Sequence, residues 1–331
     1  MNGGTLVLTR REVAGLLDLD SCITAVEAAF ACYGAGRASP AAIAGLMVEG
    51  GGFHMKAAAL VLERSYVAAK VNANFPENPI RRGLPTIQGA VMLFDGVTGQ
   101  VLALLDSIEI TIQRTAAATA VAAKHLARRV ESVVTVCGCG VQGRVQLRAL
   151  ARVRPLRRVL AWDSDAVRAE SYAREMAAEL GVPVRAIATP RAGADESDII
   201  VTCTTASRWF LGRGDVRPGT FVAAVGADNE HKQEIDPALL AHATVVVDVL
   251  EQAATIGDLH HALDAGVMTR DQVYAELGEI VAGKKPGRRS GEEVTVFDST
   301  GTALQDVAAA AVVYERALAA GAGVQIPLGA A

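Results

Sequence analysis

The chain has 331 residues, is 51% hydrophobic and 21% charged, and carries a formal net charge of −4. That length is enough for two domains and a sizeable core, and the acidic balance argues against nucleic acid as a partner. The five cysteines have no framework spacing, and no apolar run has signal-peptide flanks or the length to span a bilayer, so a cytoplasmic protein without a membrane partner is expected.

Thr9 to Glu12 reads as a capping box opening a short helix. Asp20 or Ser21 caps a second, with Ile23, Val26, Ala29, Phe30 and Tyr33 as its apolar stripe, ending near Gly34–Gly36. Residues 43–49, 53–62 and 66–73 have strand character. Residues 86–94 and 100–106 form a hairpin turned at Asp95-Gly96 and Thr98-Gly99, and 109–128 an alanine-rich helix. This first part is mostly antiparallel in pattern. Strands near 133–137, 158–162, 184–187, 198–202, 220–225 and 244–248 then alternate with helices, among them 165–180 capped by Ser164. Alternation of this kind predicts a doubly wound parallel sheet. Residues 257–282 read as two short helices, Lys284–Arg289 (KKPGRR) as a solvated turn, 293–298 as a strand and 301–320 as a last helix. The expected fold is α/β, a Rossmann domain at 129–301 beside a mixed α+β domain at 1–128 with 302–331.

The stretch VVTVCGCGVQG, residues 133–143, places Gly138, Gly140 and Gly143 in G-x-G-x-x-G spacing between a buried strand and a helix. The first glycine allows the turn, the second lets backbone approach a pyrophosphate, and the third lets the helix pack close on the sheet. The helix N-terminus aims unpaired N–H groups at the phosphates. Asp163 ends the next strand, about 20 residues further on, where a carboxylate accepts the ribose hydroxyls and repels a 2′-phosphate. The reading is a dinucleotide site favouring NAD over NADP. Cys137 and Cys139 read as small-residue packing and His260–His261 as a solvated helical pair, so no metal is expected.

Alternation puts Ala68, Lys70, Asn72 and Asn74 on one strand face, a polar pocket floor or else a solvent-exposed face. Lys56 and His54 share a face on the preceding strand. Arg114 lies early in an alanine-rich helix, where a buried guanidinium needs a carboxylate or phosphate partner; Thr115 adds a hydroxyl at the same end. Asp228 follows Gly226 at the C-terminal edge of the parallel sheet, the edge that carries the ligand crevice, and is a candidate for proton transfer. Thr204 occupies the equivalent edge one strand earlier.

The stretches GLPTIQGAVMLFDGVTGQVLALLDS, QRTAAATAVAAKHLAR, CGCGVQG, VGADNEHKQEID and FDSTGTALQDVAAA resemble the ornithine cyclodeaminase/μ-crystallin family, in the family's order and over nearly the whole chain. The resemblance implies a substrate-binding and dimerisation domain, a Rossmann domain, a homodimer, and a last helix returning to the first domain. It implies that Lys70 binds the substrate carboxylate, that Arg114 touches substrate and cofactor, and that Asp228 gives and takes the proton. It places Thr86, Thr115, Val141, Gln142, Asp163, Thr204, Val225, Gly226, Lys232 and Ser299 on cofactor contacts and Thr300 on the substrate side. Two departures stand out. The stretch after Pro40, PAAIAG, lacks an arginine that many members use for the substrate carboxylate, and His54-Met55-Lys56 replaces the usual Met-Pro. Lys56 is expected to replace the missing charge, and FHMKAA (53–58) offers no acid of the kind that the ornithine-specific branch uses. The implied activity is an NAD(H)-dependent imine reductase or amino acid dehydrogenase acting on a small amino or imino acid. A cyclodeaminase releasing ammonia with catalytic NAD, or a non-catalytic small-molecule binder, is the alternative.

Overall fold

A computed structural model describes residues 4–39 and 42–328. Pro40, from which the arginine-free stretch is counted, and the ends of the first expected domain (1–3 and 329–331) lie outside the described residues. The chain opens with β1 (Thr5–Leu8), α1 (Arg10–Leu16), α2 (Leu19–Gly34), β2 (Ala42–Val48), β3 (Gly51–Val61) and β4 (Ser65–Asn74). Next come α3 (Asn78–Arg82), β5 (Ile87–Asp95), β6 (Val101–Asp106) and α4 (Ile108–Leu126). The middle runs β7 (Ser132–Cys137), α5 (Val141–Val153), β8 (Leu156–Trp162), α6 (Ala166–Leu180), β9 (Val184–Ala186), α7 (Pro190–Ala194) and β10 (Ile199–Thr202). There follow β11 (Ser207–Leu211), β12 (Phe221–Ala224), β13 (Gln233–Ile235), α8 (Pro237–Leu240), β14 (Thr244–Val247), α9 (Leu250–Ala253) and α10 (Asp258–Asp264). The last are β15 (Ala275–Glu276), α11 (Leu277–Val281), β16 (Thr295–Asp298), α12 (Ala303–Ala320) and β17 (Val324–Ile326).

The chain divides into two compact units, Met1–Arg114 with Thr302–Ala331 and Thr115–Gly301. The boundary expected after residue 128 therefore moves back into α4. The physical reason is at the helix's C-terminal end, whose carbonyls bond within the second unit. Leu126 O accepts from Arg288 Nε at 2.6 Å and from Thr295 Oγ1 at 3.0 Å, and Ala123 O accepts from Arg154. Arg288 also donates to Glu293 O and Thr220 O, so the KKPGRR segment is a clamp on α4 rather than the solvated turn its composition suggested.

The first unit is a seven-stranded sheet in the order β17-β1-β6-β5-β4-β3-β2, antiparallel except for the β1–β6 pair. On β4, Tyr66, Ala68, Lys70 and Asn72 are buried, which settles the face left open by the alternation. On the opposite face Val71 is exposed, as are Met92 on β5 and Leu104 on β6, which pair with each other. The capping box at Thr9 and Glu12 is present. Helix α2 is capped by Asp18, whose carboxylate accepts from Ser21 N, two residues ahead of the expected Asp20.

The second unit is an eight-stranded, wholly parallel sheet ordered β15-β14-β16-β12-β10-β7-β8-β9. Its central strands β7, β10 and β12 are fully buried runs rich in Val, Ile and Ala, as a sheet covered on both faces demands. The chain leaves β7 outward through β8 and β9, then returns to β10 on β7's other side. The switch point is therefore the gap between the ends of β7 and β10. Helix α6 is capped by Asp165, accepting from Val167 N and Arg168 N, rather than by Ser164.

Candidate active site

Residues of the second unit gather at that switch point. Gly138 follows β7 with φ of 105°, and a Cβ there would lie 2.8 Å from the Cys203 carbonyl at the end of β10. A Cβ on Gly143 would run into the Gly138 carbonyl, so α5 closes tightly on the turn. Gly140 differs, since a Cβ there meets nothing within 4 Å. It is the N-cap of α5 and provides no side-chain cap. The turn thus leaves open space in front of helix N–H groups, the cradle an anionic diphosphate requires. Val141, at the start of α5, is 61% exposed, and Gln142 Oε1 accepts from Gln146.

Asp163 lies just beyond β8. Its Oδ2 accepts from Cys139 N at 2.9 Å and its Oδ1 from Asp165 N at 3.0 Å, so the carboxylate is held against the glycine turn. Arg168 Nη1 stands 3.6 Å away. All five cysteines are free, and burial pushes the Cys139 thiol up to about 12. His260 and His261 stack at 3.8 Å and bond to the carbonyls of Gly257 and Lys232. His260 is buried, which corrects the reading of a solvated pair.

The ends of β10 and β12 are tied by an acid that the sequence reading did not single out. Buried Glu234 accepts from Thr204 N at 2.6 Å and from Gly226 N at 2.8 Å. Burial raises its carboxyl above the ordinary range despite these bonds. Behind it, Asp258 accepts from Glu234 N and Ile235 N, and Asp298 from Leu259 N. Burial raises both acids, Asp298 to about 8, with repulsion from Asp298 adding to the rise at Asp258 and repulsion from Asp248 and Glu234 to the rise at Asp298. Val225, Gly226 and Thr204 are thereby fixed from below. Ser299, after β16, is buried with no partner for its Oγ, an orphaned polar atom of the kind a ligand satisfies. Thr300 is also buried, and its hydroxyl donates to Asp248 at 2.8 Å. Asp228, beyond the edge of β12, is exposed, and Lys232 Nζ lies 2.7 Å from its Oδ1.

The first unit gathers the cations. Lys70 Nζ lies 2.7 Å from Asp306 Oδ2, and Arg114 Nε 3.1 Å from Asp306 Oδ1. The guanidinium also donates to Gln305 Oε1 at 2.9 Å. All three charged groups are buried. Lys56 stands directly opposite Lys70 in the β3–β4 register, and His54 opposite Asn72, so these four share one face. Burial pushes the Lys70 ammonium down to about 7 against the pull of Asp306, with Arg114 and Lys56 adding to the fall. Asp306 is held below its ordinary range by Lys70 and Arg114, which outweigh its burial. Asp306 and Gln305 went unnoticed in sequence, where a polar pair in an alanine-rich helix was the signal. Thr86, just before β5, lies in the same unit and accepts from Phe75 N through its carbonyl, while Thr115 follows Arg114 as the first residue of the second unit.

The family model for the ornithine cyclodeaminase/mu-crystallin family matches residues 4–321. Alanine dehydrogenase of Archaeoglobus fulgidus is 40% identical over 328 residues, covering 97% of this chain and 98% of that protein. A solved archaeal alanine dehydrogenase dimer with bound NAD superposes with a TM-score of 0.93 at 38% identity, covering 97% of this chain and 98% of that one. The iminosuccinate reductase of Paracoccus denitrificans in complex with NAD+ superposes with a TM-score of 0.90 at 35% identity, covering 98% and 99%.

Proposed function

We propose, for a chain that belongs to the ornithine cyclodeaminase/mu-crystallin family, that the first unit holds an amino or imino acid by its carboxylate and the second unit holds a dinucleotide. The chain is an NAD(H)-dependent oxidoreductase of the imine reductase and amino acid dehydrogenase type. A bound nicotinamide dinucleotide supplies a hydride to the substrate's imine carbon, or takes it back from the amine.

The chain's own residues do the rest. The amides at the start of α5, opened by Gly138, Gly140 and Gly143, take the diphosphate, and Val141 and Gln142 flank it. Asp163 takes the adenosine ribose hydroxyls. Thr86, Thr115, Thr204, Val225, Gly226, Lys232 and Ser299 complete the dinucleotide contacts. Lys70 and Arg114 grip the substrate carboxylate, which orients the α-carbon; Lys56 and Thr300 are further substrate contacts. In reduction the C=N electron pair moves to nitrogen and Asp228 delivers the proton there; in oxidation Asp228 takes it back. Lys232 holds Asp228 in place.

The observation that carries this reading is the open cradle at Gly140 in one unit together with two buried cations on one carboxylate in the other. The exposed apolar side chains Val71, Met92 and Leu104 on one sheet face support a homodimer built on the first unit. No described helix is long and apolar enough to cross a membrane, and action in the cytoplasm is part of the proposal, supported by the free cysteines. The test is NADH consumption with a panel of keto acids and ammonia or methylamine. Stoichiometric NADH loss supports the reductase. Ammonia release from ornithine or lysine with catalytic NAD would replace it with a cyclodeaminase, and neither activity would leave a binding protein.

A further inference from the structure

Within the second unit, the end of α4, its connection to β7 and the segment 284–289 enclose a cavity of about 390 Å³. Its walls include Lys124, His125, Arg128, Arg129 and Arg288, and among the described residues no acid lines it. The cavity lies at the N-terminal edge of the parallel sheet. Arg288 donates to Thr220 O, just before β12, and to Thr295 Oγ1, at the start of β16, while Arg128 pairs with Asp198, just before β10. The glycine turn stands at the other end of β7, a strand length of roughly 17 Å away.

Capping of α4 accounts for one of these cations. The Arg288 guanidinium takes Leu126 O, Glu293 O and Thr220 O, all neutral acceptors. Burial lowers its pKa, and repulsion from Arg128 adds to the fall against the pull of Glu293, whose carboxylate pairs with Arg289. Arg128 has a different position. Its carboxylate partner, Asp198, is shared with Arg217 and with Val133 N, and its own Nε is buried with no hydrogen-bond partner. Arg129 is exposed and forms no ion pair among the described residues. A buried N–H without an acceptor, beside an uncommitted guanidinium and an open cavity, is what an oxyanion satisfies.

We infer that this cavity binds the phosphoryl group of a small anion, held by Arg128 and Arg129 with Lys124 beside them, at a site separate from the dinucleotide cradle. Guanidinium forks match phosphate oxygens, and a dianion answers two of them at once. The volume is at the lower end for small-ligand pockets, enough for a phosphoryl group with a short organic body.

The experiment is thermal unfolding and calorimetric titration of the intact protein in a phosphate-free buffer, with NADH in excess so that the cradle is filled. The probes are inorganic phosphate and glycerol 3-phosphate, with chloride at matched ionic strength as the control. A saturable rise in Tm is expected with the phosphates and not with chloride. Arg129→Gln is expected to unfold at the parent's temperature without anion, and to bind the probes about tenfold more weakly. Tighter binding of glycerol 3-phosphate identifies a phosphate ester as the occupant, and tighter binding of inorganic phosphate the free ion; both uphold the site. No saturable effect beyond that of chloride, or equal affinity in Arg129→Gln and parent, overturns the inference. So does a phosphate affinity that falls as NADH is raised, which would move the ion to the cradle. The reductase reading stands apart from all of these outcomes.

Discussion

Asp306 on α12 and Lys70 on β4 meet at 2.7 Å although 236 positions separate them in the chain, and Arg114 closes on the same carboxylate. The last helix therefore brings the counter-charge for the residues proposed to bind substrate. Replacing Asp306 with asparagine leaves two cations buried without their anion. We expect Asp306→Asn to lose about 3–5 kcal/mol of stability, read as a drop in denaturant midpoint, and Lys70→Met in the same chain to recover part of it in a double-mutant cycle.

If Lys70 binds the substrate carboxylate as proposed, binding is expected to depend on pH. Its ammonium titrates at about 7 in the folded chain, against an ordinary value of 10.5. A carboxylate ligand prefers the charged form, so KM for the keto acid is expected to rise as pH climbs above about 7, and to lose that dependence in Lys70→Met. The stability effect has the opposite direction. Between about 7 and 10.5 the unfolded chain holds more protons at this position, so this group's contribution grows more favourable with rising pH across that window. Denaturant titrations of both proteins at pH 7 and 10 measure it.

Gly140 and Gly143 separate binding from folding. A methyl group at Gly140 has open space, so Gly140→Ala is expected to unfold at the same temperature as the parent. Its NADH affinity is expected to fall about tenfold, roughly 1.4 kcal/mol, because the methyl occupies the diphosphate's place. Gly143→Ala collides with the Gly138 carbonyl and is expected to lower Tm as well. Nicotinamide fluorescence titration and thermal unfolding read the two effects.

Asp163 is the residue proposed to favour NADH over NADPH. Removing its charge leaves Arg168 beside the vacated position, and an arginine accommodates a 2′-phosphate. Asp163→Ser is expected to raise KM for NADH and lower KM for NADPH, which steady-state rates with each cofactor would register.

Asp228→Asn keeps the side chain's size and its neighbour Lys232 but removes the ionisable carboxyl that would give and take the proton. A loss of about 10²–10⁴ in kcat is expected, with NADH affinity unchanged. Equal kcat in parent and variant would move the proton-transfer role to another group.

Much of the second unit was legible before any coordinates. Val133–Cys137, Gly138, Gly140, Gly143 and Asp163 declare themselves because a buried strand, a tight turn and a helix start each impose a local residue pattern. The short elements β1, α3, β11, β13 and β17 escaped notice because so few residues carry no measurable period. Helix caps slipped by one or two positions, as at Asp18 and Asp165, because several candidate side chains stand side by side and packing selects among them.

Sequence alone determined the alternating α/β architecture, the glycine turn after β7 and the residue types available for chemistry, since periodicity and turn stereochemistry act over a few neighbours. Tertiary structure decided which face of β4 is buried, that Asp306 and Gln305 complete the cation cluster, and that Glu234 ties Thr204 to Gly226. Those relationships join residues far apart in the chain, and only the energy of packing and of pairing buried charges selects them.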